Sequence, residues 1–134
     1  MKRIPHISAL MQAFPRHLDG DTPLAEARHF MHTHQLSCLP VLNSAHQVLG
    51  VVTLAELANA TDTDLASLVR PAPTVDASER ADRVLLLLAE SEHQQVVVLR
   101  QGRLAGLFSR ADACRAFADF LRAPFAPSGG DDIA

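Results

Sequence analysis

One order of signals runs through this chain twice, and that duplication restricts its possible folds more than any composition figure. In the first half, DGDTPLAEARHFMHTHQ (19–35) opens with turn residues; Asp21 or Thr22 can cap a helix, and Pro23 suits its first position. Leu24, Ala27, Phe30 and Met31 then fall on one face at helical spacing. SCLPVLN (37–43) reads as a short apolar strand, SAHQ as a turn and VLGVV (48–52) as a second strand, after which Thr53 opens the helix TLAELANA. The second half runs DASERADRVLLLLAESEHQ (76–94), QVVVLR (95–100), a QGR turn, LAGLF (104–108) and a helix from Ser109 to about Arg122. Asp19 to Pro40 and Asp76 to Val97 are both 21 residues apart. A short strand is expected before each first helix, near PRHL (15–18) and PTV (73–75).

Strands this short do not make stable isolated hairpins. The two halves must therefore cover one another's apolar faces in one cooperative module. The expected architecture is α/β (α+β): a first repeat over 1–59 with its lead-in, a linker at 60–72, and a second repeat over 73–122. The tail at 123–134, with its Pro, Gly and Asp punctuation, is expected to be disordered.

Composition removes several functions. A net charge of −3 argues against a nucleic-acid binder, which usually carries a basic excess. The longest apolar run, Val84 to Ala89, has six residues, far short of the roughly 18 that a membrane span needs. His6, Ser8 and Gln12 interrupt any signal-peptide core near the start, so a cytoplasmic location is expected. Cys38 and Cys114 lack metal or redox spacing and read as isolated reduced thiols.

Candidate chemistry sits where the last strand of each half meets a helix, in GLFSRAD (106–112) and GVVTLAE (50–56). Ser109 with Asp112, and Thr53 with Glu56, match a capping box, in which hydroxyl and acid satisfy each other's backbone amides. The same geometry suits a ligand. A helix start offers free N–H groups to phosphate, and a carboxylate one turn in can accept from both hydroxyls of a ribose. Gly106 allows close backbone approach or strand bending.

The sequence of TPLxEA, then LPV, then GVVT or GLFS with an acid three residues on, resembles a tandem pair of CBS (cystathionine β-synthase) domains, a Bateman module. The likeness covers roughly residues 8 to 122. It implies two β-α-β-β-α repeats packed sheet to sheet with pseudo-two-fold symmetry. It also implies a regulatory ligand containing adenosine between them: AMP, ADP or ATP ahead of S-adenosylmethionine or NAD. Carried over, Ser109 and Asp112 face Pro15, Arg16, Leu36, Ser37 and Cys38, with Leu107 lining the pocket and Arg16 or Arg110 reaching phosphate. The second, weaker cleft pairs Thr53 and Glu56 with Pro73, Thr74, Gln94 and Val96. There Glu replaces Asp, which moves the carboxylate by about 1.5 Å. Leu54 stands where the second half has Arg110, so that cleft is expected to lack a phosphate cation.

Catalysis is not expected. Ser109 lacks a nucleophile-elbow context and Asp112 is placed to cap. His29 and His32, spaced i,i+3, could share a metal, yet no Cys, Asp or Glu adjoins them to complete a tetrahedron. Three functions remain: a nucleotide sensor acting on an unknown effector protein, a structural or dimerisation module with no small ligand, and a His-based metal-responsive module. A homodimer is expected, because Val84–Ala89 is apolar all round and Ala113, Ala116, Phe117, Phe120 and Leu121 form a stripe on the last helix.

Overall fold

The computed structural model of the chain describes residues 3–61 and 63–125. Strands β1 (Gln12–Ala13) and β2 (Leu18–Asp19) precede helix α1 (Leu24–Thr33). Strands β3 (Cys38–Leu42) and β4 (Val48–Thr53) follow, then α2 (Leu54–Asn59). The second half holds β5 (Thr74–Asp76), α3 (Ala81–Ala89), β6 (Gln95–Arg100), β7 (Arg103–Ser109) and α4 (Arg110–Phe125). The duplicated order expected from the sequence is present in full.

The two sheets have the orders β2-β3-β4 and β1-β7-β6-β5. In each, the strand before the first helix pairs parallel with the strand after it, Leu18 with Val41 and Val75 with Val98. An antiparallel hairpin then closes each sheet. The hairpin turns fit their sequences. Asn43 accepts from the amides of Ala45 (2.8 Å) and Gln47 (3.0 Å), while Gln101 and Gly102 both take positive φ, as a tight two-residue hairpin requires.

Strand alternation gives each sheet two apolar faces. Leu39, Val41 and Val52 pack with Ala27 and Met31 beneath the helices of the first repeat. Val96, Val98 and Phe108 pack with Val84 and Leu88 in the second. The opposite faces meet one another through Val51, Val97 and Leu107, with Cys38, Ala72, Leu99 and Leu104 around them. This sheet-to-sheet contact makes the two repeats one body.

The connections do more than link. Ile7 is fully buried in the second repeat's core, and its amide donates to the Glu79 carbonyl at 2.7 Å. The following β1 adds an edge strand to β7. In the same way Leu65 of the linker is buried in the first repeat's core, and Arg70 exchanges two backbone bonds with Val51, at 2.9 and 2.8 Å. Each repeat is thus completed by the segment leading into the other. Glycine permits both approaches. A Cβ on Gly50, whose φ is 154°, would lie 2.3 Å from the Arg70 carbonyl oxygen, and one on Gly106 would lie 2.8 Å from that of Gln12.

Two local expectations change. Neither Asp21 nor Thr22 caps α1: Pro23 occupies the cap position, without a side-chain bond, and the helix begins at Leu24. Helix α4 continues to Phe125, three residues into the segment read as a tail. The rest of that segment, 126–134, lies outside the described residues.

Candidate functional site

Both candidate motifs form capping boxes at a strand-to-helix junction. In the second repeat, Ser109 Oγ accepts from the Asp112 amide at 3.0 Å, and Asp112 Oδ2 accepts from the Ser109 amide at 2.9 Å. In the first, Thr53 Oγ1 accepts from the Glu56 amide at 3.2 Å, while Glu56 Oε1 accepts from the Thr53 hydroxyl at 3.0 Å and its amide at 3.4 Å. Replacing the hydroxyl of such a box costs typically about 1 kcal/mol. Ser109 follows Leu107 by two residues, so it shares the face of β7 that meets the other sheet.

The cations differ from expectation in both clefts. Arg110 does not reach toward the box. Its Nε donates to the His93 carbonyl at 2.8 Å and its guanidinium also holds that of Ser91. These carbonyls follow α3 and would otherwise lack partners. Arg28 serves the end of α2 alike, donating to Leu57 and Ala60 carbonyls at 3.0 Å each. The arginine at the second box is Arg115, one turn along α4, whose side chain pairs with Asp112 Oδ1. Its side chain is 67% exposed against 10% for that of Asp112. The first cleft, expected to lack a cation, has Arg70 from the linker on Glu56 Oε2. The spacing of Asp112 and Arg115 made one of these legible; nothing local marked Arg70, which arrives by tertiary folding.

Electrostatics follow from these contacts. Partial burial pushes the Glu56 carboxyl up, but the bonds from Arg70 and Thr53 and the charge of Arg70 outweigh it, leaving it below its ordinary value. Burial, reinforced by the nearby Glu56 charge, pushes the Cys38 thiol up to about 11. That thiol is protonated near neutral pH and is a poor nucleophile or metal ligand.

The other expected contacts divide. Cys38 opposes Thr53 in the β3–β4 ladder and packs on the cluster at the junction of the two sheets that contains Leu107. The Ser37 carbonyl accepts from the Leu54 amide at 2.9 Å beside the first box, and that of Gln94 from the Arg110 amide at 3.1 Å beside the second. Pro73 and Thr74 enter β5, where the Pro73 carbonyl accepts from Val97 at 2.9 Å. Val96 does not line a cleft. It is fully buried in the second repeat's core on the helix side of its sheet, while Leu36, half-buried ahead of β3, packs against the first repeat's core. Pro15 lies with Leu104, at the opposite end of β7 from Ser109, because β1 runs antiparallel to β7; Arg16 beside it is exposed. Two concave depressions of about 560 and 320 Å³ also lie at the hairpin-turn end, and neither is lined by the box residues.

His29, His32 and His34 are exposed, with the Phe30 ring tilted against that of His34, centroids 4.5 Å apart. Among the described residues, no group of three or more His, Cys, Asp or Glu side chains could hold a metal ion, and no helix is long and apolar enough to cross a membrane.

Both halves match the family model described as the CBS domain, over residues 7–62 and 64–119. The chain belongs to the CBS domain family. It is a tandem CBS pair, a family of regulatory and binding modules. Solved structures of other CBS pairs share its fold. The CBS domain pair of MJ0100, solved with 5′-methylthioadenosine and S-adenosyl-L-methionine, is 18% identical with a TM-score of 0.76, over 87% of this chain and 98% of that one. CBSX2, solved in complex with AMP, is 20% identical with a TM-score of 0.74, over 87% and 98%. The CBS domains of a transcriptional regulator from Streptococcus pneumoniae are 19% identical with a TM-score of 0.74, over 84% and 99%. No curated protein matches the sequence.

Proposed function

We propose that this CBS pair is a non-enzymatic sensor that binds an adenosine-containing ligand between its repeats and reports occupancy to a partner protein. The observation that carries this reading is the Ser109–Asp112 box. It presents a largely buried carboxylate at the start of a 16-residue helix, on the strand face turned toward the other repeat. A ribose diol would accept the role now held by Arg115 on Asp112 Oδ1, and the displaced, exposed guanidinium would be free to meet phosphate. Arg110, engaged with Ser91 and His93, is not needed for that task. AMP bound to CBSX2, and 5′-methylthioadenosine and S-adenosyl-L-methionine bound to the MJ0100 pair, support the ligand class.

The reading extends to a homodimer. Leu86 on α3 and Phe117 and Leu121 on α4 are exposed apolar side chains on the second repeat's helices, of the kind an interface covers. Unfolding of the purified protein followed with AMP, ADP, ATP, S-adenosylmethionine and NAD tests the sensor reading. A ligand at a hundred times its Kd adds about 2.7 kcal/mol to stability. No stabilisation by any of them at millimolar concentration favours the structural and dimerisation role instead.

A further inference from the structure

Phe14 is the side chain that the fold explains least. The chain has six phenylalanines and no Trp or Tyr, yet this one is 90% exposed. Its backbone has φ of 51°, in the left-handed region that a bulky residue occupies only at an energetic cost. Burial does not offset that cost. The backbone is nevertheless held in place, because the Phe14 amide donates to the Ala105 carbonyl at 3.2 Å at the end of β1. Strain held without a packing gain points from the outlier toward function.

That place is one wall of the 320 Å³ depression between the two repeats. Leu42 and Leu104, from the turn ends of the two hairpins, supply further apolar wall. His17, His46 and Arg103 supply the nitrogen-bearing side chains, and no lining residue is acidic. Among the described residues, Arg103 takes part in no ion pair. Leu104 and Ser109 are five residues apart on β7, about 17 Å at the usual strand rise. The depression is therefore separate from the Ser109–Asp112 box.

We propose that this inter-repeat depression is a binding site for a small aromatic or branched carboxylate. Arg103 would take the carboxylate, His17 and His46 would add hydrogen-bond donors, and the ring of Phe14 would cover the apolar body against Leu42 and Leu104. The volume is at the small end of ligand pockets, which suits a ligand of one or two rings rather than a nucleotide.

Calorimetry with 2-naphthoate and its uncharged analogue 2-naphthamide tests the site. The carboxylate should bind at one site per chain, and the amide about tenfold more weakly or worse. Arg103→Gln should lower naphthoate affinity about tenfold, the effect of losing one charge-assisted hydrogen bond. Phe14→Gly separates function from structure: it removes the left-handed strain, so thermal stability should hold or rise, while naphthoate affinity falls several-fold. Asp112→Ala should leave naphthoate binding unchanged, so this site and the nucleotide reading can fail independently. Absent naphthoate binding at millimolar concentration, equal affinity for the amide, or dependence on Asp112 would overturn the proposal. So would a Phe14→Gly variant that changes the oligomeric state and leaves naphthoate affinity intact, since Phe14 would then serve a second copy of the chain.

Discussion

The two capping boxes descend from one pattern yet hold their acids by different means. Glu56 is fixed on one oxygen by Thr53 and on the other by Arg70, whose own backbone is tied to Val51 by two hydrogen bonds across Gly50. Asp112 is fixed on one oxygen by the Ser109 amide and on the other by Arg115, a side chain of its own helix one turn along. Exposed ion pairs of this kind contribute only about 0–1 kcal/mol each. The difference therefore lies in what must move. Freeing either acid takes a rotamer change of an exposed arginine, 67% exposed for Arg115 and 72% for Arg70. Glu56, however, also accepts from the Thr53 hydroxyl, and its arginine comes from the linker rather than from the acid's own helix. Helix α2 is also only six residues long against 16 for α4 and offers a weaker dipole end. Unequal clefts were expected because one acid is longer and because Leu54 stands in the first repeat where the second has Arg110. The cation contrast does not hold, since each acid pairs with an arginine, Arg70 on Glu56 and Arg115 on Asp112.

The strongest way to break this comparison is at the glycines. Gly50→Ala places a methyl against the Arg70 carbonyl at a positive φ, and should cost roughly 2–4 kcal/mol in chemical denaturation. Gly106→Ala meets the flexible Met11 side chain first and the Gln12 carbonyl second, and should cost less, about 1–3 kcal/mol. Equal or reversed costs would mean that the linker is not the more tightly held of the two lead-ins.

A smaller effect is expected from the two helix-end arginines. Arg110→Ala removes the side-chain donor from the Ser91 and His93 carbonyls, and Arg28→Ala removes it from that of Ala60 while Leu57 keeps the Ala60 amide. Each should destabilise the fold by about 1–3 kcal/mol, Arg110→Ala the more. Arg110→Ala should nevertheless leave nucleotide affinity unchanged once the protein is folded. A large loss of affinity with little loss of stability would return Arg110 to the phosphate.

The smallest effect separates the boxes by pH. The folded-state Glu56 carboxyl lies below its ordinary value of 4.5, so its contribution is complete above that pH and is lost as the pH falls through the folded value. Glu56→Gln lacks this term, so wild type and variant should converge in stability on acidification below pH 4.5. Profiles that stay parallel throughout would contradict the Arg70–Glu56 pair.

What the sequence disclosed follows the range of each interaction. The duplicated helix–strand–strand–helix order was readable because strand alternation and helical spacing are local, as Leu39, Val41 and Val52 facing Ala27 and Met31 illustrate. Both boxes were readable for the same reason, since hydroxyl and acid are three residues apart. The edge strand Gln12–Ala13 was not, because two residues carry no period and their partner, β7, lies almost a hundred residues away. Arg70 on Glu56 escaped for the same reason. Val96 was assigned to a cleft from the resemblance; its strand phase turns it into the second repeat's core instead.

The central claim, that the Asp112 cleft is the one that takes an adenosine nucleotide, is tested most directly by calorimetric titration of Asp112→Asn and Glu56→Gln alongside the wild type, using whichever nucleotide stabilises the protein most. Both variants keep an oxygen to accept from the cap amide, so the capping geometry survives and unfolding curves can verify it. The account predicts that Asp112→Asn weakens binding by roughly 10- to 150-fold, the worth of hydrogen bonds to a charged group, while Glu56→Gln changes it little. Equal losses from the two, or undiminished affinity in folded Asp112→Asn, would contradict it.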